Sequence, residues 1–210
     1  MPCVVYTFDC QHHDLSSPAD ANVFAFLDPS VLVTLNFANC SQLIVPQDIH
    51  NFPNLVGINV KHSVLVDWSV DAIVSQEYHP LMVFIIFSNV NLTGVPAAIA
   101  GPLPDLLQDI EFSHTNLSVI PDNLNEAWPG VGTLYIEYSG IRNVPESLMR
   151  MDLFDLSLIG NDLETIPALA QLPTSIGNVA LDPNPLQRLP ERFTNWLLSS
   201  LVWKVRVWWT

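Results

Sequence analysis

Leu153-x-x-Leu156-x-Leu158-x-x-Asn161-x-Leu163-x-x-Ile166-Pro167 decides the reading of this 210-residue chain, because the same phrase recurs. It reads Val131-x-x-Leu134-x-Ile136-x-x-Ser139-x-Ile141-x-x-Val144-Pro145 one period earlier. Before that it reads Leu107-x-x-Ile110-x-Phe112-x-x-Thr115-x-Leu117-x-x-Ile120-Pro121. One period later it reads Ile176-x-x-Val179-x-Leu181-x-x-Asn184-x-Leu186-x-x-Leu189-Pro190. Every apolar slot of these four copies holds an aliphatic residue or phenylalanine. Pro96, Pro121, Pro145, Pro167 and Pro190 lie 25, 24, 22 and 23 residues apart, so the prolines mark a repeat.

Upstream the pattern loosens. Leu81, Phe84, Ile86 and Asn89 fit, and one inserted residue then shifts the later slots to Leu92 and Val95 before Pro96. Leu55, Ile58, Val60, Ser63 and Leu65 fit without a proline. Leu32, Leu35, Phe37 and Cys40 fit, with Leu43 one place late and Pro46 closing. Seven repeats therefore span residues 32–190.

The second and third apolar slots alternate with polar positions, the period of a strand. A single repeat cannot bury that apolar side, so neighbours must stack and their strands pair in parallel. The ninth position reads Cys40, Ser63, Asn89, Thr115, Ser139, Asn161 and Asn184. Small hydrogen-bonding side chains there can satisfy backbone groups left over by the turn, stacking into a polar ladder inside the core. The proline fixes φ at the start of the return path, where no amide donor is needed.

This phrase resembles the leucine-rich repeat, L-x-x-L-x-L-x-x-N/C-x-L, over about three quarters of the chain. The stretch Asn91-Leu92-Thr93-Gly94-Val95-Pro96 looks like the L-x-G-x-I-P type common in extracellular receptors. An intracellular, Ras-binding type with I-P after the asparagine also exists. The resemblance implies an α/β solenoid: a horseshoe with a parallel β-sheet on its concave face and short helices, 3-10 turns or loops on its convex face. The expected organisation is an N-terminal cap over 1–30, repeats over 31–190, and a C-terminal cap or tail over 191–210. Within that last stretch Trp203-Lys204-Val205-Arg206-Val207-Trp208-Trp209 alternates like an edge strand, or is a sticky remnant of a longer chain.

Composition narrows the function. Twenty-one acids against seven Lys and Arg give a net charge of −14, and the bases are scattered, which excludes a phosphate-binding nucleic-acid surface. No apolar run reaches the length of a membrane span. The first residues lack the basic n-region of a signal peptide. No nucleophile elbow, zincin, phosphate-loop or dinucleotide motif occurs, so neither an enzyme nor a cofactor is expected. Cys10-Gln11-His12-His13-Asp14 lacks the spaced pairs of a zinc site and reads as a solvated cap loop. With Cys40 in a buried ladder slot, Cys3 and Cys10 are candidates for a disulfide stapling the cap, or are two free thiols. Asn39, Asn91 and Asn116 begin glycosylation sequons.

Function is expected on the concave wall. In the register above, Val83, Ile85 and Phe87 point outward as an apolar patch, flanked by Asp109, Glu111, Tyr135, Glu137, Tyr138 and Asp155. An apolar centre with a polar rim suits a protein or peptide ligand that is basic and partly apolar. The expected role is non-catalytic recognition in an extracellular or cell-surface protein; the alternative is a cytoplasmic scaffold that binds a signalling protein.

Overall fold

The computed structural model describes residues 4–20, 24–92, 94–167 and 175–188. The alternating slots form strands: β1 (Val5–Asp9), β2 (Thr34–Ala38), β3 (Leu43–Ile44), β4 (Gly57–Asp67), β5 (Phe84–Asn91), β6 (Asp109–Ser113), β7 (Thr133–Glu137), β8 (Asp155–Ser157) and β9 (Asn178–Ala180). They make one parallel sheet in the order β1-β2-β4-β5-β6-β7-β8-β9, with β3 paired to the far end of β4. Sequential order with parallel pairing requires every connection to return over the opposite side, and that produces the solenoid.

Register shows why the repeat spacing matters. Leu35, Ile58, Ile85, Ile110, Leu134, Leu156 and Val179 are partners from strand to strand and are all buried. Phe37, Val60, Phe87, Phe112 and Ile136 form the next buried row, in which the rings of Phe87 and Phe112 stack at 4.8 Å. Each such side chain contributes about 2 kcal/mol on burial, which no isolated repeat could collect.

The return path carries the short turns that its prolines suggest. Pro46 precedes a 3-10 turn at Gln47–Asn51, Pro96 one at Ala97–Ile99, and Pro145 lies just before one at Leu148–Arg150. The single α-helical turn among the described residues is α1 (Leu124–Ala127). Where the proline is missing, Ser69 occupies the same place before Val70–Ala72, so the turn does not depend on proline. Buried indoles fasten this side: Trp68 Nε1 donates to the Ala72 carbonyl and Trp128 Nε1 to that of Ile99.

Three expectations meet the structure here. The segment expected as an N-terminal cap supplies β1, which extends the sheet with Tyr6 opposite Leu35 and Phe8 opposite Phe37. The expected C-terminal cap or tail lies outside the described residues. The third repeat needs correction, because its slots are Met82, Ile85, Phe87, Val90, Leu92 and Val95, with no inserted residue. The run from Leu81 to Phe87 is apolar throughout, so alternation carries no parity there, and Asn89 is the nearest polar residue that fits the ladder slot. Asn89 instead takes a left-handed backbone, φ 55°, as do Asn39, His62, His114 and Tyr138 one residue before the ladder slot of their own repeats. Asparagine tolerates that conformation better than most side chains.

Candidate functional site

The corrected register changes which residues face out. Ile85 and Phe87, expected on the concave wall, are fully buried, and only Val83 of that trio is exposed. Phe84 and Ile86 take their place, half-buried in the concave rows. The Phe84 ring lies over Gly57 on β4, where any side chain would overlap it. The apolar strip therefore exists, displaced by one residue.

Next to it the concave rows turn acidic. Asp109 lies opposite Phe84, and Glu111 opposite Ile86. Tyr135 is the partner of Glu111, and Glu137 of Ser113. Asp155 is the partner of Thr133 on β8, two strands or about 10 Å from Asp109. Some of these groups are held by neighbours. Tyr135 Oη donates to Asp155 Oδ2 at 2.9 Å, Asn178 Nδ2 donates to Asp155 Oδ1 at 2.9 Å, and Ser157 Oγ donates to Glu137. Asp109 Oδ1 is buried without a hydrogen-bond partner among the described residues.

Burial, and then the nearby Asp155, raise the Asp109 carboxyl above its ordinary range. Burial followed by Asp109 and Glu137 raises Glu111 in the same way. Burial and the bond to Asp155 raise the Tyr135 phenol. Each shift has the sign expected for negative charge crowded on a half-desolvated sheet. The two ion pairs among the described residues, Arg142–Asp162 at 4.0 Å and Arg150–Glu146 at 3.6 Å, are exposed and involve none of these acids. Lys61 shares the row of Glu137 but lies three strands away, about 14 Å. The wall therefore presents an apolar strip and an adjoining carboxylate field without a cation of its own among the described residues.

At the other end the middle row of the wall is uncharged. Asn59 Nδ2 donates to Asn36 Oδ1 at 2.7 Å, and Asn36 Nδ2 to Thr7 Oγ1 at 2.9 Å. Tyr138, expected beside the acids, belongs to the rim: its ring stacks on His114 at 4.5 Å and covers Gly160, which has φ 67° and no room for a side chain.

The cysteine expectation also changes. The disulfide joins Cys10 to Cys40, with Cα atoms 4.9 Å apart, so the Cys3–Cys10 staple is replaced; Cys3 lies outside the described residues. The two sulfurs meet because Cys10 and Cys40 follow the neighbouring strands β1 and β2. The missed signal was Tyr6-x-Phe8, two apolar slots that place another strand beside Cys40. His13, from the same stretch, stacks on Phe8 at 4.9 Å.

Asn91 and Asn116 are exposed. Asn116 Oδ1 accepts the Leu92 amide at 2.6 Å, which leaves its own nitrogen outside that bond. The Asn39 amide nitrogen donates to Asp9 Oδ2 at 2.8 Å, a bond that a glycan there would disrupt.

No family model matches the chain. Among curated proteins it is similar to fibromodulin of Oryctolagus cuniculus and to fibromodulin of Sus scrofa. Each is 29% identical over 104 residues, covering 49% of this chain and 67% of the relative.

Proposed function

Because this chain is a leucine-rich-repeat protein, we propose that it acts by recognition rather than catalysis, docking a basic and partly apolar protein or peptide on its concave sheet. One observation carries the reading: Asp109, Glu111, Glu137 and Asp155 form a carboxylate field without a local cation, directly beside the half-buried Phe84 and Ile86. A ligand cation placed there relieves repulsion already present on the wall, and apolar contact with the strip supplies affinity. The rigidity of a paired sheet lowers the ordering cost of binding.

An extracellular setting is supported by the likeness to fibromodulin, itself an extracellular glycoprotein, by the Cys10–Cys40 bridge and by exposed sequons at Asn91 and Asn116. No helix among the described residues is long and apolar enough to cross a membrane.

The test is a selection of random peptides on the full chain. Enriched sequences should interleave Lys or Arg with aliphatic or aromatic residues. They should bind Glu111→Lys with Glu137→Lys at least tenfold more weakly. Enriched peptides without basic residues, or equal binding to that variant, would overturn the reading. Secretion behind a supplied signal, followed by mass analysis, should show glycan on Asn91 or Asn116. A retained, unglycosylated chain with free thiols would instead favour the cytoplasmic scaffold.

A further inference from the structure

One place beyond the ladder slot, three consecutive repeats carry Ser41, Val64 and Asn91, and all three are exposed. Val64 and Asn91 are register partners, so their side chains stand side by side on the rim. With Asn39, His62 and Asn89 they line a depression of about 420 Å³, within the size range of a small-ligand site. The lining holds no carboxylate, ammonium or guanidinium group. It offers amides, hydroxyls and an imidazole around Val64, which is 40% exposed. Planar polar groups around an apolar patch suit a sugar ring, which has a C–H face and a rim of hydroxyl groups. Asn91, which begins the sequon Asn91-Leu92-Thr93, is itself part of the lining. We propose that the first N-acetylglucosamine of a glycan on Asn91 folds back into this depression, its apolar face on Val64 and its polar groups beside His62 and Asn89. The inference rests on the extracellular reading, since only a chain that enters the secretory pathway acquires this glycan.

The floor of the depression is already ordered. Cys40 is bridged to Cys10, its amide donates to Ser63 Oγ at 3.0 Å, and Ser63 Oγ donates to the Lys61 carbonyl at 2.8 Å. A fixed floor lowers the ordering cost, and the bond to Asn91 makes the contact intramolecular, so a weak sugar site suffices. Asn39 serves as a wall, because its amide nitrogen is engaged by Asp9. Asn116 occupies the same place one repeat on but lies outside the lining, and its neighbour on the far side is Gly140, which presents no side chain. A glycan on Asn116 is therefore the reference for an undocked one. Docked on Asn91, the sugar covers Val64 and closes the rim of β2 to β5, leaving the concave wall as the open approach for a ligand.

The test uses the full chain secreted from a eukaryotic cell behind a supplied signal. An amidase that cuts the sugar–asparagine bond is applied to the native protein, and peptide mapping follows each site. Release from Asn91 should be at least tenfold slower than in Val64→Ser with His62→Gly, and the two chains should not differ once denatured. Release from Asn116 should be the same in both. Equal native rates at Asn91 would overturn the proposal. A second measurement needs no variant: the glycan is trimmed to its first N-acetylglucosamine, and the proton contacts of that sugar are read by isotope-edited NMR. Contacts to the Val64 methyl groups are expected, and the absence of any protein contact beyond Asn91 would overturn the proposal. A glycan on Asn116 with none on Asn91 removes the docked sugar and leaves the extracellular reading standing. No glycan at either site, on a chain retained with free thiols, removes both.

Discussion

Around β4 and β5 the strands run on past the turn, Ser63 pairing with Val90 and Val64 with Asn91, whereas β7 to β9 stop after three to five residues and side chains take over. In the later repeats Asn161 Oδ1 accepts the Ser139 and Ile141 amides, while its nitrogen donates to the Ile136 and Leu158 carbonyls. Asn184 repeats the arrangement, accepting from Leu163 and donating to Leu158. In the third repeat the ladder slot holds Val90, buried and unable to do this. Longer backbone pairing covers part of the deficit. Asn116, one place beyond its own ladder slot, covers another by accepting the Leu92 amide as Asn161 accepts that of Ile141. The turn must be satisfied in every repeat, but the identity of the satisfying group is free to change.

The largest effect should come from breaking the side-chain solution. Asn161→Leu strands two buried amides and two carbonyls, and should cost about 4 kcal/mol in denaturant unfolding. A loss below 1 kcal/mol would mean that the later repeats do not depend on the ladder.

The earlier half should be the acid-sensitive one. His79 is buried, its Nε2 meets the Ile49 carbonyl at 3.1 Å, and its Nδ1 is unpartnered. Burial pushes its pKa down to about 4, below the ordinary 6.5. The unfolded chain therefore takes up a proton first, and the stability held above pH 6.5 is lost as pH falls towards 4, by about 3 kcal/mol. His79→Gln should flatten the unfolding free energy across that window relative to wild type; parallel curves would remove His79 as the cause.

Exchanging the solutions tests their independence. Val90→Asn places an amide in a slot whose neighbouring backbone is already paired, and should destabilise by about 2 kcal/mol. Stabilisation would show that the third repeat is merely deficient. The smallest effect lies where the halves meet. Because folding raises the Asp109 carboxyl, the folded state loses stability as pH climbs from the ordinary carboxylate value to the raised one, and protonation on acidification restores it. Asp109→Asn should stabilise by about 0.5 kcal/mol at pH 7 after solvent screening, and by nothing at pH 3. Destabilisation at pH 7 would contradict the crowding of charge on the wall.

The fold was legible because four copies repeat both period and chemistry, and the solenoid follows from stacking them. Asp109, Glu111, Tyr135 and Glu137 lie on the outward rows of strands that alternate cleanly in burial, and Asp155 opens β8, where polar and apolar residues alternate in the sequence. Ile85 and Phe87 were misplaced because seven consecutive apolar residues carry no alternation, and the nearest asparagine was the wrong anchor. Asn89 marks the left-handed turn, a role that His62, His114 and Tyr138 also fill, so no residue type announces it. The Cys10–Cys40 bridge was hidden for a different reason: it joins neighbouring strands, one of them in a segment with only two recognisable slots.

The most direct test of the register of the sheet is to place the same charge on either side of β5. Ile85→Asp and Ile86→Asp, compared by circular dichroism and thermal melting, differ only in the face that they alter. The register described here predicts that Ile86→Asp melts within a few degrees of wild type and that Ile85→Asp loses its cooperative transition. A folded Ile85→Asp beside an unfolded Ile86→Asp would contradict it and return Val83, Ile85 and Phe87 to the outward face.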